Sequence, residues 1–546
     1  MFSTKKSVKI GMAMVILFAF VSTSYKSETG KYFEIAKNIE IFANLYKEVN
    51  TYYVDDLEPS KLMRTGLDAM LHSLDPYTNY ISESEMEGFK YMAEGRYNGI
   101  GAQIEVIDDY ITIAGLYKDS PAMKANLKVG DMIVAVDGKS AKGKSHDEVD
   151  AILKGYPGTD VELTIRRPGE KKDIKTTLTR GEVKVPNVPY SGMLNHDIGY
   201  IVLTTFTRQA GNNVKKALKN LEKEHPNMKG VVLDLRNNGG GLLTEAVNVA
   251  NVFIDKDELV VKTRGKIKEW DRTFKTLNAP VDLDIPLAVM INKNAASASE
   301  IVSGVMQDLD RGILVGQRSY GKGLVQNTRD VGYHSKVKMT IAKYYIPSNR
   351  CIQAVSYKNG EPVDVPDEER SEFKTRNGRI VRDGGGLKPD LYLPKEETPI
   401  VIEELKKQHI IFKYANVFCY GLDSIDTPDK FHFDKWNDFQ NFLAKNHFQY
   451  ETKSEELLDE LVNSSGKEKL SVLGEINHLK QKIASEKNNA IEQHKDEIVK
   501  LIEKEIVGRY YFKRGEVQID LRNDAELDAA VEALSDTQKY KTTLNL

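Results

Sequence analysis

Helical spacing of apolar residues marks both ends of the chain. Between residues 31 and 95, apolar positions such as Ile35, Ile39 and Phe42 recur three and four residues apart, which predicts amphipathic helices. Residues 396–546 are rich in Lys and Glu but keep apolar positions such as Leu457 and Leu461 at helical spacing. That spacing favours packed helices over disorder. The stretch carries no motif that indicates chemistry, so a structural or regulatory cap is predicted there.

The middle of the chain changes from short strands to alternating strands and helices. Residues 96–181 combine apolar strands with turn signals such as Asp137-Gly138, a pair typical of hairpins. Residues 182–395 alternate strands and helices, which predicts an α/β layer structure. In that region the pattern predicts strands over 230–236, 286–292 and 312–316 and helices over 242–253 and 297–309.

Length and composition indicate a soluble protein of several domains. The 546 residues exceed the usual size of one domain, so three or four units are expected. Hydrophobic residues make up 40% and charged residues 29%, as in ordinary globular proteins. The net charge of −3 gives no general attraction to nucleic acid or anionic membranes. No nucleic-acid partner is therefore predicted.

The N-terminus has the pattern of an export signal. Lys5, Lys6 and Lys9 precede an apolar run from Ile10 to Val21, and small polar residues follow to position 24. A basic segment, a short apolar segment and small residues predict a secretory signal over residues 1–24. Twelve apolar residues fall short of the about 20 that a membrane-spanning helix needs. The alternative to a cleaved signal is an uncleaved anchor, which would tether the protein to the membrane through its N-terminus. The expected location is the periplasm or the cell envelope.

Cysteine and histidine usage gives no support for a metal centre. Cys351 and Cys419 lie far apart and in no C-x-x-C arrangement, so two half-buried free thiols are favoured over a disulfide. The ten histidines are scattered and form no H-E-x-x-H motif. Neither a metal site nor an organic cofactor is predicted.

One candidate chemical segment runs from Asn292 to Glu300, between a predicted strand and a predicted helix. A serine at such a turn can present its hydroxyl at the sheet edge, where the helix N-terminus offers free N–H groups to a developing oxyanion. Simple capping by Ser297 or Ser299, with Glu300 in the first turn, explains the same pattern. Both interpretations stay open on this segment alone.

A second candidate is the turn Gly239-Gly240-Gly241, which follows the predicted strand 230–236. Glycines let a backbone approach a ligand closely, so an oxyanion hole, a phosphate cradle and a tight turn are all compatible with it.

The third candidate, Gly316 to Gly323, matches the phosphate-loop pattern G-x-x-x-x-G-K except at its last position. Gly323 replaces the Ser or Thr that would hold magnesium, and a strand follows instead of a helix, which argues against an NTPase. Lys322 is either a solvated turn lysine or, in a packed site, a base whose pKa is lowered by desolvation.

Together these three segments resemble the carboxyl-terminal processing protease family, over about residues 53–390. The matching segments are Val231 to Asn238 with the glycines after it, Ser297 to Ile301, and Gly321 to Gly323 with Val325-Gln326. The spacing of twenty-five positions from Ser297 to Lys322 fits the family. Gly239 departs from the pattern, because the family often has proline there. Residues after about 390 lie outside the resemblance.

The resemblance implies a role for each matched residue. Ser297 is the expected nucleophile, Lys322 the general base, and Gln326 the residue that orients the lysine. The backbone N–H groups of Gly240 and Ala298 are the expected oxyanion donors. An acyl-enzyme would form, and no metal or cofactor would be needed.

The segment before the protease motifs resembles a PDZ domain, in Gly99-Ile100-Gly101-Ala102, Gly130 to Ile133 and Asp137-Gly138. PDZ domains bind a C-terminal peptide as an added strand. Gly99, Ile100, Gly101 and Ala102 are therefore the expected peptide-binding residues, and polypeptides with apolar C-termini the expected substrates.

The resemblance also implies the overall architecture, a multidomain α+β and α/β protein. The expected parts are a helical N-terminal segment (31–95), a PDZ domain (96–181), a crotonase/ClpP-like α/β protease core (182–395) and a helical C-terminal region (396–546). The expected activity is that of an exported serine endopeptidase that cuts near C-termini, and a homodimer stays open.

Three other functions compete with this hypothesis. A catalytically silent PDZ-bearing adaptor would not need to keep Ser297, Lys322 and Gln326 together. A crotonase-like acyl-transfer enzyme shares glycine-rich oxyanion turns but fits an export signal poorly. A Ser-His-Asp hydrolase lacks support, since the sequence has no G-x-S-x-G motif.

Overall fold

The computed structural model describes residues 30–86, 88, 93–194, 197–353, 357–358, 361–362, 366–394, 397–468 and 472–546. The chain divides into two compact units, Met1–Tyr80 and Ile81–Leu546. The predicted signal or anchor over residues 1–24 lies outside the described residues. Within the described ranges, no helix is both long and apolar enough to cross a membrane.

The first unit is helical, as its apolar spacing predicts. Helix α1 spans residues 30–52 and helix α2 spans Pro59–His72, with proline at its first position, where the missing N–H costs nothing. Large apolar side chains of α1 such as Phe33 and Ile39 are nevertheless exposed. The periodicity thus predicted the helices correctly but not the burial of their apolar faces. The strand Asn79–Ile81 (β1) follows in sequence.

A series of short, mostly antiparallel strands begins at Arg96. Its strands are β2 (Arg96–Gly99), β3 (Ala102–Ile107), β4 (Tyr110–Leu116), β5 (Met132–Val136), β6 (Lys139–Ser140), β7 (Asp160–Arg166), β8 (Ile174–Thr179) and β9 (Gly181–Lys184), and its helices are α3 (Pro121–Lys124) and α4 (His146–Leu153). The main sheet has the order β3-β4-β5-β7-β8, and β2 pairs with β9. Asp137 and Gly138 both have positive φ, the hairpin conformation that the Asp-Gly pair predicts.

The edge of this sheet suits peptide binding. Strand β3 pairs only with β4 among the described strands, so its other edge is unpaired. Helix α4 packs beside β3. Ser145 caps the start of this helix: its hydroxyl accepts a hydrogen bond from the Glu148 N–H, and the Glu148 carboxylate accepts one from the Ser145 N–H.

The following region is the predicted α/β layer structure. Its strands are β10 (Tyr190–Met193), β11 (Ile198–Val202), β12 (Gly230–Asp234), β13 (Leu259–Gly265), β14 (Arg272–Lys275), β15 (Leu287–Ile291), β16 (Ile313–Gly316), β17 (Leu324–Gly332), β18 (Ser335–Tyr345), β19 (Tyr357–Lys358), β20 (Glu361–Pro362), β21 (Glu372–Lys374), β22 (Ile380–Arg382) and β23 (Leu391–Tyr392). Its helices are α5 (Ala210–Glu224), α6 (Leu243–Ala250) and α7 (Ala298–Asp308). The predicted strands and helices are confirmed, with ends that differ by up to three residues.

The central sheet has the order β10-β11-β12-β15-β16-β23, and all neighbouring pairs except β10–β11 are parallel. Every residue of β12, β15 and β16 is buried. Strands that are covered on both faces have such continuous apolar sequences. Helices α5, α6 and α7 pack on one face of the sheet. A second sheet joins β13, β14, β17 and β18.

The C-terminal region is helical, as predicted. Its helices are α8 (Ile400–Lys407), α9 (Ile410–Cys419), α10 (Trp436–Lys445), α11 (Lys453–Glu468), α12 (Leu473–Gln493), α13 (Lys495–Asp520), α14 (Ala525–Ser535) and α15 (Thr537–Leu544). Helices α8, α9, α10 and α13 enclose a core of their own around Phe439 and Ile502. The expectation that Leu457 and Leu461 pack is wrong, because both are exposed.

The last two helices pack on the central sheet. Leu527, Ala530 and Leu534 of α14 pack on the second face of the central sheet, against residues such as Val232 and Met290. The hydroxyl of Tyr540 in α15 accepts a hydrogen bond from the Leu287 N–H at 3.0 Å. The sheet is therefore covered by helices on both faces, and the second layer comes from the far C-terminus.

Candidate active site

Ser297 lies at the turn between β15 and α7, directly before the first residue of the helix. Its φ is +56°, a region that non-glycine residues enter only at an energetic cost and that clusters at functional sites. The side chain is half-buried, and Ala298, the first residue of α7, is 1% exposed. The turn therefore holds a serine hydroxyl at a helix N-terminus, where the helix dipole favours negative charge.

The Gly239–Gly241 turn packs directly behind Ser297. A Cβ atom at Gly240 would lie 2.9 Å from the Ser297 Cβ and 3.0 Å from the Ala298 nitrogen, and its φ is +101°. Only glycine allows this approach. The Gly240 N–H donates a hydrogen bond to the Asn238 side-chain oxygen at 2.9 Å.

Lys322 lies in a tight loop before β17. At Gly321, φ is +92° and a Cβ would lie 2.8 Å from the Gly386 nitrogen, so close packing of backbone requires glycine here. Lys322 itself is half-buried. Gln326, on β17, donates from its side-chain nitrogen to the Thr340 hydroxyl at 3.2 Å, across the β17–β18 pair.

A buried carboxylate joins the serine turn to the lysine loop. Glu300 is fully buried and accepts hydrogen bonds from the backbone N–H groups of Ser297 (2.8 Å), Gly321 (2.7 Å) and Lys322 (2.9 Å), and from the Ser319 hydroxyl (2.6 Å). Desolvation raises the pKa of Glu300, although these four hydrogen bonds oppose the rise. One side chain thus sets the relative position of Ser297 and Lys322.

Tyr344 makes a second link between the two segments. Its ring is 1% exposed, and its hydroxyl donates to the Lys322 carbonyl oxygen at 2.6 Å and lies 3.2 Å from the Ser297 carbonyl oxygen. The tyrosine comes from β18, so the second sheet supports the base of the site.

One cavity of about 710 Å³ gathers the predicted catalytic residues. Its lining includes Ser297, Ala298, Lys322, Gln326 and Gly240. The remaining lining is largely apolar, with residues such as Leu242, Leu243, Ile301 and Val325. Such a cleft can hold an extended chain next to the Ser297 hydroxyl.

The predicted peptide-binding residues lie in the PDZ region and do not line this cavity. Gly99 ends β2 and Ala102 begins β3, so the four residues lead into the unpaired sheet edge. Ile100 is buried, and its carbonyl accepts a hydrogen bond from the Ala122 N–H at 2.7 Å. Gly101 has a φ of +79° and packs on Ser120.

The cysteines are the half-buried free thiols that the sequence predicts. Burial raises the pKa of both Cys351 and Cys419. Among the described residues, no group of three or more His, Cys, Asp or Glu side chains is arranged to hold a metal ion.

Sequence reasoning missed three residues that build the site. Glu300 was visible only as a helix-capping residue, and Tyr344 lies on a strand without any motif. Asn238 is fully buried, and its backbone carbonyl accepts hydrogen bonds from the Ala296 N–H (3.0 Å) and the Ser299 hydroxyl (2.8 Å). The glycine turn and the serine turn are therefore joined by hydrogen bonds between residues about 60 positions apart, which local patterns do not reveal.

Comparison with known protein families covers all three parts of the larger unit. Residues 98–178 match the PDZ domain, residues 197–360 match peptidase family S41, and residues 401–534 match the C-terminal helical domain of probable PDZ-proteases. The last match covers a region that the sequence motifs left unassigned.

Individual relatives match most of the chain. A probable CtpA-like serine protease of Staphylococcus aureus is 31% identical over 438 residues, which cover 78% of this chain and 84% of the relative. A carboxy-terminal-processing protease of Bartonella bacilliformis is 32% identical over 365 residues, which cover 66% of this chain and 82% of the relative. Among solved structures, a photosystem II D1 C-terminal processing protease is 27% identical, covers 66% of this chain and 94% of its own, and has a TM-score of 0.35.

Fold and relatives together define a serine-type peptidase with a PDZ domain. The chain belongs to the carboxy-terminal-processing protease family.

Proposed function

We propose that this peptidase cleaves polypeptides near their C-termini with Ser297 as nucleophile and Lys322 as general base. Neutral Lys322 takes the hydroxyl proton of Ser297 while the serine oxygen attacks the scissile carbonyl carbon. The resulting ammonium group then gives a proton to the leaving amine, and an acyl-enzyme remains. Water attacks this ester with the same lysine as base, which releases the new C-terminus and restores the serine.

Oxyanion stabilisation comes from backbone N–H groups in this proposal. The Ala298 N–H stands at the N-terminus of α7, where the helix dipole adds to the effect. The Gly240 N–H would exchange its present acceptor, the Asn238 side-chain oxygen, for the oxyanion. Such a donor is commonly worth about 3–4 kcal/mol of transition-state stabilisation. Gln326 would orient the lysine.

One observation carries the proposal. Ser297, Lys322, Gln326, Gly240 and Ala298 were selected from three separate segments, and all five line the same cavity of about 710 Å³. The shared hydrogen bonds to Glu300 support it further, because they hold the serine turn and the lysine loop in one arrangement.

Substrate capture is assigned to the PDZ domain, proposed to span residues 96–181 ahead of a protease core over 182–395. An apolar C-terminal tail would add to the free edge of β3, with its carboxylate near Gly99, Ile100, Gly101 and Ala102.

We further propose that the protein acts after export, in the periplasm or cell envelope. The sequence pattern of residues 1–24 supports export, and a tether through an uncleaved signal is compatible with it. Homodimerisation is supported by the exposed apolar side chains of α1.

The dyad is tested by single substitutions with matched controls. Ser297→Ala and Lys322→Ala should each abolish cleavage of an unfolded protein with an apolar C-terminus while the far-UV circular dichroism spectrum stays unchanged. Ser303→Ala removes another serine of α7, whose buried hydroxyl bonds to the Ser299 carbonyl oxygen, and Lys343→Ala removes an exposed lysine on β18. Both controls should retain cleavage. Retained cleavage in either dyad variant contradicts the assignment, and a folded wild type without activity favours the silent adaptor.

A further inference from the structure

A second cavity of about 1070 Å³ lies between the PDZ domain and the C-terminal helices. Its walls are the β3–β4 part of the PDZ sheet, the connection after β9, and helices α8, α9 and α13. The two domains touch beside it: Lys413 of α9 forms an ion pair with Asp108 at 2.9 Å. Neither Ser297, Lys322 nor the segment from Gly99 to Ala102 lines this cavity.

The lining is strongly basic. It includes seven Lys or Arg side chains and three carboxylates, a net charge of about +4 in a chain whose net charge is −3. Two of the three carboxylates form ion pairs within the lining, Glu505 with Arg509 and Glu516 with Lys513, and Glu105 lies 3.7 Å from the His409 ring nitrogen. Lys118, Lys406 and Arg514 are exposed, and among the described residues no carboxylate lies within ion-pair distance of them. Such a concentration of unpaired positive charge attracts acidic ligands.

This cavity adjoins the catalytic cleft. Val185 and Thr204 line both cavities, so the two spaces share one wall next to the serine turn. A polypeptide can therefore contact the basic lining while another part of it occupies the cleft.

A strained aromatic residue also faces this space. Phe512 interrupts helix α13 with φ +56° and ψ −156°, and it lines the cavity together with Tyr510 and Tyr511. A bulky residue at positive φ is a rare outlier, and such strain persists mainly where function requires it. An aromatic surface beside cationic groups suits a polypeptide of mixed apolar and acidic character.

We propose that this cavity binds an acidic segment of the polypeptide substrate while another segment lies in the catalytic cleft. Asp and Glu side chains of the substrate would face Lys118, Lys406 and Arg514. The inference rests on the proposed function, because it assumes cleavage at Ser297. It adds a substrate class: unfolded chains with an acidic stretch near the C-terminal tail.

The test compares two synthetic unfolded polypeptides of equal length with the same apolar C-terminus. One carries a block of Asp and Glu next to the tail, and the other carries Asn and Gln at the same positions. The full-length enzyme is compared with the triple variant Lys118→Glu, Lys406→Glu, Arg514→Glu. A control variant, Lys171→Glu, Lys266→Glu, Lys445→Glu, reverses three exposed lysines that line neither cavity and changes the net charge equally.

For the wild type we expect a kcat/KM about tenfold higher with the acidic polypeptide at low salt, mainly through KM. High salt should reduce this preference, because these charges are exposed. The triple variant should lose or invert the preference, and the control should keep it. Fluorescence anisotropy with the full-length Ser297→Ala chain should show tighter binding of the acidic polypeptide.

Equal kcat/KM values for the two polypeptides in the wild type, or a preference that survives in the triple variant, would overturn the inference. So would RNA binding as tight as that of the acidic polypeptide, because the cavity would then recognise any polyanion. A short peptide that has neither the apolar tail nor the acidic block distinguishes failure of this inference from failure of the proposed function. If the wild type cleaves it and Ser297→Ala does not, the proposed function stands whatever the two polypeptides show.

Discussion

Replacing Glu300 with glutamine tests how the geometry of the proposed site is held, because this carboxylate accepts hydrogen bonds from both the serine turn and the lysine loop. One of its oxygens accepts from the N–H groups of Ser297 and Lys322, and the other accepts from Gly321 and the Ser319 hydroxyl. Glutamine keeps the shape but only one acceptor oxygen. If the amide oxygen retains Ser297 and Lys322, the amide NH₂ group faces the Gly321 N–H and that hydrogen bond is lost.

The expected loss of stability in Glu300→Gln comes from one buried N–H group that is left without a partner. Such a group lowers the unfolding free energy by about 1–3 kcal/mol. Removal of a charge that is costly to bury offsets part of this loss. The effect on catalysis should be larger. Gly321 directly precedes Lys322, and a shift of about 1 Å in a catalytic group can lower the rate about 100-fold. We therefore expect kcat of Glu300→Gln to fall about 100-fold with little change in KM.

The stability difference should also depend on pH. Because burial raises the pKa of Glu300 above its ordinary value of 4.5, the folded state binds the proton more tightly than the unfolded state does. This contribution to stability is fully present below pH 4.5 and is lost as pH rises through the folded pKa. Glutamine does not titrate. The stability gap between wild type and Glu300→Gln should therefore narrow as pH rises from the acid side.

The assay combines urea denaturation at several pH values with steady-state cleavage and the acylation rate of Ser297 by a serine-directed probe. Glu245→Gln is the control, since Glu245 is also buried and its carboxylate accepts one backbone N–H, from Gly211 at 2.9 Å. It should leave kcat unchanged. A Glu300→Gln enzyme with normal kcat would refute the positioning role, and a stability gap that widens with pH would refute the direction of the pKa shift.

Three further predictions concern other parts of the molecule. Arg236→Ala should lower the unfolding free energy by about 3–5 kcal/mol in urea denaturation, since it leaves buried carboxylates unpaired. Burial acts to raise the pKa of Asp524, but Arg236 outweighs burial and holds this pKa below its ordinary value of 3.8. The coupling of the pair in a double-mutant cycle should therefore be fully present above pH 3.8 and be lost as pH falls through the lowered pKa of the folded state; a coupling that grows in acid would contradict this. Tyr344→Phe should lower kcat about tenfold in steady-state kinetics, because the hydrogen bond from the Tyr344 hydroxyl to the Lys322 carbonyl oxygen is lost. An unchanged kcat would contradict a supporting role for Tyr344. Cys351 and Cys419 should react with iodoacetamide more slowly in the folded than in the urea-unfolded chain at neutral pH, because burial raises both thiol pKa values; equal rates would contradict it.

Local elements were predictable from the sequence because short-range interactions determine them. The Asp137-Gly138 hairpin and the strands β12 and β15 follow from turn chemistry and from the period of apolar residues. Family resemblance then singled out Ser297 and Lys322, and their roles stay predictions until the substitutions are made.

Burial was less predictable than secondary structure. Leu457 and Leu461 have the spacing of a packed helix face, and the helix forms, but both side chains are exposed. Periodicity says which residues share a face and not whether another element covers that face.

By itself, the sequence determined the order of elements, the helical ends and the three segments proposed to carry the chemistry. Only the tertiary structure decided that Glu300 links two of those segments, that Tyr344 supports them, and that two large cavities share a wall. It also decided that α14 and α15 cover the protease sheet, where Arg236 pairs with Asp524 almost 300 residues further along the chain. The physical reason is that such contacts depend on the simultaneous packing of surfaces from distant parts of the chain, whereas the period of a helix or strand is set by neighbouring residues.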